Sequence, residues 1–517
     1  MSERETIPSS ERASISSQTA GPSLFENGLL RCINPATQET ITKLNISTEQ
    51  EIREKTDSLK EAQEEWGALP PRARAKILKN VRKHLVERMD EVMEVIIDET
   101  GKTEFDGIIE ILTTAEIIRF VSSAGPRALA SEKRSMGLIM KTKRGSVQYL
   151  AFGIVGVISP WNYPLILAAS PVVQALMGGN GVLLKPSEYT PLTALKMKEV
   201  FDEGGLPSGL LQVVIGGGDV GEAVVSSPDT DLICFIGSVK VGKQIGIACA
   251  EQMKPVILEL GGKDPLIVLA DANIERAARA AVWGGFHNAG QTCISVERVY
   301  VEEPVADQFI ERVSQLARET EVGAQRSVCD LGSMTTDPQA AKVLAQIADA
   351  RKRGATIVVG GRELPHSKGH FIQPTVVVDV DETMEIMNRE TFGPVIAISK
   401  VKDADEAVAK SNSLKYGLNA SIFTQDLKKA RRLSRHIQAG SICINDVESN
   451  YLCVSLPFGG TGSSGRGRLQ GIEGIRAFAQ VQAVCEDRFG LKRELWWFPV
   501  SKGIKKLFRT LIKVLYG

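Results

Sequence analysis

The chain has 517 residues, 43% of them apolar and 24% charged, which excludes a disordered polyelectrolyte and leaves material for more than one buried core. Its 62 Lys and Arg balance 62 Asp and Glu, so no global field selects nucleic acid or an acidic surface. The eight cysteines and five histidines are scattered, with no CxxC pair and no metal-like cluster. Neither a disulfide framework nor a metal site is expected, and a reducing cytoplasm is the simplest location.

The opening stretch, "MSERETIPSSERASISSQTAGPS", lacks the apolar core of a signal peptide and is rich in Ser, Thr and Glu, so residues 1–26 are expected to be a disordered lead-in. Leu78, Val81, Leu85, Met89, Met93 and Ile96 recur at helical spacing, with Pro70 and Pro71 upstream and Gly101 as the stop. This predicts one long amphipathic helix over 77–97 in a largely helical first segment. From residue 154 the rhythm changes. "IVGVISP", "GVLLKP", "LLQVVIG", "DLICFIG" and "PVILELGG" alternate with helical stretches near 164–178, 191–203, 219–226 and 239–252. Strand and helix in alternation predict a doubly wound parallel sheet, whose ligands bind beyond the carboxyl ends of its strands. A second alternation runs from "DPLIVLADA" through "TIVVGG", "FIQPTVVVDV" and "GPVIAISKV" to "SICIND", a second α/β lobe over 261–447.

Chemistry-bearing residues fall where such sheets place ligands. "PWNYP" sets Asn162 in a stiff turn between two prolines. "LLKPSE" delivers Lys185 and Glu188 from a strand end, where they can bracket the hydroxyls of a ribose. "LELGGK" holds Glu259 in an apolar run beside two glycines, and "GQTC" holds Cys293 after a glycine and two polar residues. Singly, a cysteine is usually core filler, and a Lys or Asn at a strand end is often a cap. Jointly they match acyl chemistry on an aldehyde: a thiolate nucleophile, a fixed amide for the oxyanion, and a carboxylate to activate water.

"PWNYP", "KPSE", "FIGS", "LELGGK", "GQTC", "ETFGP" and "PFGG" stand in the order found in the aldehyde dehydrogenase superfamily, which the chain resembles from about residue 30 to about residue 488. The resemblance implies an α/β, aldehyde dehydrogenase-like fold with two doubly wound parallel-sheet domains and an oligomerisation β-hairpin. Its parts would be an NAD-binding domain over 27–132 and 153–260, a catalytic domain over 261–447, and oligomerisation elements at 133–152 and 475–487. A homodimer or homotetramer follows, acting on a small-molecule aldehyde.

Carried over residue by residue, the resemblance makes Cys293 the nucleophile, Glu259 the general base and Asn162 the oxyanion donor beside the Cys293 N–H. Trp161, Lys185, Glu188, Gly237 and Ser238 become cofactor contacts, with Glu390 and Phe392 holding the nicotinamide ribose. Glu188 would accept from ribose hydroxyls and repel a 2′-phosphate, which favours NAD and leaves NADP as the second cofactor. His287 is read as a structural histidine rather than a base.

Two departures stand out. "FIGS" has Ile236 where Thr is commoner, and Ser170 is small at a position that lines the substrate tunnel in relatives, which predicts a roomier tunnel. A CoA-acylating enzyme and a non-catalytic, membrane-associated scaffold of the same fold are the alternatives.

Beyond 488 the family pattern ends. Ile504, Leu507, Phe508, Leu511, Ile512 and Leu515 form one helical face, opposed by Lys502, Lys505, Lys506, Arg509 and Lys513. Such a tail either docks on a neighbouring part of the same oligomer or lies in a membrane surface, peripheral rather than spanning. Its ending resembles that of a membrane-associated branch, family 22.

Overall fold

In the computed structural model, residues 24–517 are described. They open on a small antiparallel sheet of β1 (Phe25–Glu26), β2 (Leu29–Ile33) and β3 (Thr40–Asn45). Residues 1–23 of the expected lead-in lie outside the described residues, and its end needs correction: Leu24 is buried and Phe25–Glu26 pair with Leu29 and Leu30.

Four helices follow: α1 (Glu49–Ala68), α2 (Pro71–Glu87), α3 (Met89–Thr100) and α4 (Glu104–Ala128). The single helix predicted over 77–97 is therefore two. Its apolar stripe crosses the joint unbroken, and the break is confined to Arg88, whose φ of −107° and ψ of 21° leave the helical region. There the guanidinium pairs with Glu91 at 2.5 Å and Glu199 at 2.6 Å, contacts that periodicity does not reveal.

The chain forms two compact units. Among the described residues, one holds 24–129 together with Leu150–Gln480; the other holds Ala130–Tyr149 and Val481–Gly517. Strands β4 (Glu132–Arg134) and β5 (Lys143–Leu150) are antiparallel.

The first unit carries the parallel sheet foreseen from residue 154. Its elements alternate as β6 (Ile154–Ile158), α5 (Ile166–Gly178), β7 (Gly181–Lys185), α6 (Pro191–Glu203), β8 (Leu211–Val213), α7 (Gly218–Ser226), β9 (Leu232–Gly237), α8 (Val239–Glu251) and β10 (Val256–Leu260). The strands lie in the order β10-β9-β6-β7-β8. Every residue of β6 and β7 is buried, as helices on both faces require.

The second alternation runs β11 (Asp264–Val268), α9 (Ile274–Phe286), β12 (Val296–Glu302), α10 (Glu303–Glu319), α11 (Asp337–Lys352), β13 (Thr356–Val359), β14 (Thr375–Val378), β15 (Val395–Val401), β16 (Asn419–Phe423) and β17 (Ser441–Ile444). These strands lie in the order β13-β14-β15-β12-β11-β16-β17, parallel except where β13 meets β14. Alternate residues of β11 feed two cores: Ile267 packs with Tyr300, while Leu266 and Val268 pack with Phe309 and Phe423. The strand β18 (Gly465–Arg466) returns to the first sheet and pairs antiparallel with β10, setting Gly465 beside Glu259.

In the second unit, β19 (Gln480–Asp487) completes a sheet of order β19-β5-β4. Lys143 pairs there with Asp487 at 2.6 Å and with Glu494. A C-terminal helix, Lys502–Tyr516, buries none of its residues in this unit.

Candidate active site

Cys293 follows a left-handed turn. Asn288, Ala289 and Gly290 have φ of 52°, 54° and 68°, a conformation in which the two non-glycine residues are strained. At position 290 glycine is required, because a Cβ would stand 2.2 Å from the Gly393 carbonyl. Gln291 locks the turn: its Oε1 accepts from the Thr335 N–H at 2.9 Å. The thiol thereby sits between the two large sheets, where a cofactor-like crevice and a narrow tunnel meet.

The crevice lies at the carboxyl ends of β6, β7 and β9. A cavity of about 390 Å³ is lined by Trp161, Lys185, Glu188, Gly237 and Ser238. It continues through Trp161, Gly237 and Ser238 into one of about 190 Å³, lined by Asn162, Glu259, Cys293, Glu390 and Phe392. All ten residues singled out from the sequence are thus brought to one continuous site.

Six of them, Asn162, Lys185, Glu188, Ser238, Glu390 and Phe392, are held by identifiable contacts. The Lys102 ammonium is buried, 2.5 Å from Glu110, and donates to the Asn162 carbonyl at 2.9 Å; Glu110 in turn accepts from the Leu165 and Ile166 N–H groups. The "PWNYP" turn is therefore clamped from α4. The Asn162 amide donates one hydrogen to the Gln291 carbonyl at 2.9 Å, leaving its second hydrogen for the cavity. Lys185 and Glu188, both buried, form an ion pair at 3.2 Å. Ser238 caps α8 by accepting from Val241, so the free N–H groups of that first turn border the crevice, a place suited to a phosphate. Phe392 has φ of 57°; its N–H and that of Thr391 both donate to Glu297, which is itself paired with Lys263 at 2.5 Å. Glu390 accepts from the Gly262 N–H at 3.1 Å.

Electrostatics separates the roles these groups can take. Burial pushes the Glu259 carboxyl up to about 8, and neither of its oxygens has a hydrogen-bond partner among the described residues. A carboxyl so placed can exchange protons near neutral pH. Burial, and then the charges of Glu259, Asp264, Glu390 and Glu448, push the Cys293 thiol up, so it needs a base or a bound cation to become thiolate.

A family model described as "Aldehyde dehydrogenase family" matches residues 25–484. The chain belongs to the aldehyde dehydrogenase family. It is 34% identical over 462 residues to a betaine aldehyde dehydrogenase of Rhizobium etli, covering 88% of this chain and 93% of the relative. A 4,4'-diapolycopene aldehyde oxidase of Methylomonas sp is 36% identical over 454 residues, 87% of this chain and 84% of that one. Among solved structures, an NAD-dependent aldehyde dehydrogenase from Sinorhizobium meliloti matches with a TM-score of 0.86 at 32% identity, over 91% of this chain and 93% of that one. PnpE in complex with nicotinamide adenine dinucleotide matches at 0.87 and 30%, over 91% and 96%.

On the other side of the thiol, this aldehyde dehydrogenase has a tunnel of about 90 Å³ lined by Tyr163, Leu167, His287, Thr292, Glu448 and Leu452, among others. It shares Phe105, Asp106, Trp283 and His287 with an outer cavity of about 690 Å³. The roomier tunnel expected from Ser170 is corrected here. Ser170 is fully buried within α5, accepts from the Gln174 amide at 3.2 Å and does not line the tunnel. His287, read from the sequence as structural rather than a base, also lines the tunnel wall. Sequence reasoning also missed Lys263 and Glu297, which set the Phe392 loop, and Gln339, whose amide donates to the Thr391 carbonyl at 2.7 Å. Lys263 closes the "LELGGK" stretch, but no local pattern marks Glu297 or Gln339.

Proposed function

We propose that the chain oxidises an aldehyde to a carboxylic acid, with Cys293 as nucleophile, Glu259 as general base, Asn162 and the Cys293 N–H as oxyanion donors, and NAD as the hydride acceptor. The observation that carries this reading is that Cys293 lines both the crevice, with Glu259 and Asn162, and the tunnel. The Cys293 thiol passes its proton to Glu259, which releases it to solvent, and the thiolate adds to the aldehyde carbon to give a thiohemiacetal whose oxyanion the two donors hold. NAD, when bound, supplies the acceptor for the hydride that converts this adduct to a thioester. Glu259 then takes a proton from water as it attacks the thioester, the C–S bond breaks, and the acid leaves. The first-turn N–H groups of α8, the Lys185 and Glu188 pair and the Glu390–Phe392 loop fit such a dinucleotide. Glu188 favours NAD, with NADP as the second cofactor.

The unpartnered carboxylate of Glu259 supports water as acyl acceptor over CoA, and the joint presence of thiol, base and amide argues against a scaffold. The test is NADH production from short, long-chain and aromatic aldehydes, with and without CoA, beside Cys293→Ala. Acid released without CoA supports the reading; a strict CoA requirement would replace it with the acylating one.

The sheet of β6–β10 and the residues before it form the NAD-binding domain (27–132 and 153–260), and residues 261–447 form the catalytic domain. The hairpin of 133–152 with 475–487 joins copies into a homodimer or homotetramer, which sedimentation would resolve. A second reading concerns the tail. No described helix is long and apolar enough to cross a membrane, yet Phe498 is 92% exposed, and the C-terminal helix opposes five Lys and Arg to an apolar face that is only partly covered. This favours peripheral contact with an anionic membrane. Flotation of the full chain with anionic vesicles, against the chain ended at 488, tests it; equal behaviour removes the idea.

A further inference from the structure

The tunnel wall holds a cluster that aldehyde oxidation does not use. His287 stacks on the Trp283 indole, with centroids 4.4 Å apart and planes 6° apart, and its Nδ1 lies 3.0 Å from the Trp283 carbonyl oxygen. A carbonyl only accepts, so Nδ1 carries a hydrogen and donates. Nε2 then faces Tyr163 Oη at 2.9 Å, Glu448 Oε2 at 3.2 Å and Thr292 Oγ1 at 3.4 Å. One proton serves the contact between Nε2 and Oε2, whether it rides on the ring or on the acid, so the pair is net neutral either way. Burial pushes Glu448 well above the usual carboxylate range and His287 below its own, and both shifts favour the uncharged form.

Two observations single out Glu448. Its φ is 58°, a strained conformation for a residue with a side chain, of the kind that collects at ligand-binding positions. Its second oxygen, Oε1, is buried without a hydrogen-bond partner among the described residues, on a residue 5% exposed that lines the same tunnel as Cys293. His287 orients one oxygen and leaves the other as an acceptor. Among the described residues no Lys or Arg lines this tunnel.

We propose that Glu448 is a specificity-determining residue, selecting aldehydes whose apolar body carries a hydroxyl group that donates to Oε1. This rests on the dehydrogenase reading above. A carboxylate on the substrate would meet no cation, and an ammonium at Oε1 would meet a pair with no net charge, since the tunnel's other carboxylate, Asp106, is already engaged by the N–H and hydroxyl of Thr103. A hydroxyl satisfies the acceptor without adding charge.

The experiment compares kcat/KM for benzaldehyde and its 3- and 4-substituted hydroxy, methoxy, aminomethyl and carboxy derivatives, in the wild type, Glu448→Met and Glu448→Gln. Each protein is normalised to its own benzaldehyde value. In the wild type one hydroxy isomer is expected to exceed its methoxy partner by a margin that falls about tenfold in Glu448→Met, the loss of roughly one hydrogen bond. Glu448→Gln should keep most of the preference, because its amide nitrogen can donate to Nε2 and leave Oε1 to accept. A ratio unmoved by Glu448→Met, or a wild-type preference for the aminomethyl or carboxy compound, overturns the proposal. If the wild type makes no NADH from any aldehyde, the dehydrogenase reading fails, and the subsite is judged by melting temperature instead. Stabilisation by phenol over anisole that Glu448→Met removes supports it; equal stabilisation rejects it.

Discussion

The two cavities that meet at Cys293 are assembled in different ways. The crevice takes its residues from short contiguous runs at strand ends: Trp161 and Asn162 after β6, Lys185 and Glu188 after β7, Gly237 and Ser238 after β9. The tunnel takes Asp106 from α4, Tyr163 from a loop, Trp283 and His287 from the end of α9, and Glu448 from the segment after β17. A parallel sheet concentrates its ligand contacts where strands stop, so the crevice is written as motifs. A tunnel between packed elements borrows one or two side chains from each, so its chemistry is dispersed along the chain.

Removing the atom the two sides share should have the largest effect. Cys293→Ala is expected to lower turnover by at least about 10⁴-fold while NAD binding, followed by calorimetry or fluorescence, stays within a few-fold. Loss of both together would mean that the thiol turn also builds the crevice, and the division would fail.

Next in size is Glu259→Gln, expected to slow steady-state turnover by about 10² to 10⁴-fold while a burst of NADH, one per site, survives. The burst reports thioester formation, and the slow phase reports its hydrolysis. The pH dependence has a definite sign. The carboxylate is the form that accepts water's proton, and burial holds the acid protonated below about 8. The wild-type deacylation rate should therefore rise with pH through about 8, and the glutamine variant should lack that rise. A rate that falls over this range would remove Glu259 from the step.

How much was legible follows the same division. The strand-helix alternation placed both sheets, since strands buried on two faces stand out as apolar runs between turns. Ten site residues lay at or near strand ends and reached one site. The break at Arg88 was not visible because Leu85 and Met89 continue one apolar stripe through it. The small sheet of β1–β3 was also missed: β3 is mostly exposed and carries little apolar pattern. Lys263 with Glu297, and His287 with Glu448, are pairs joined by folding across tens to more than a hundred residues. Ser170 misled because position in a family pattern does not say which way a helix turns its side chain.

Asn162 tests how the crevice is held. Asn162→Ala should cost about 10² to 10³-fold in kcat, the loss of one oxyanion donor. It also deletes the bond to the Gln291 carbonyl, so a melting curve is needed beside the kinetics. An equal loss with a protein that melts far earlier would assign the effect to the thiol turn rather than to the oxyanion.

The smallest effect sharpens the outer end of the crevice. Glu188 is 6% exposed, and its carboxylate lies 3.2 Å from the Lys185 ammonium, so the pair presents no net charge to a ribose. A 2′-phosphate placed there would face the carboxylate at close range in a partly desolvated cleft, where like charges repel more strongly than in water. Glu188→Gln keeps the volume, removes the repulsion and frees Lys185 to meet the phosphate. The ratio of kcat/KM for NADP to that for NAD should then rise by about tenfold, close to 1.4 kcal/mol. Because neither residue lines the tunnel, the ranking of aldehydes should stay as it was. A changed aldehyde ranking would couple the two sides through Cys293, whereas an unchanged cofactor ratio would mean that the ribose is selected by backbone at the crevice mouth and not by this carboxylate.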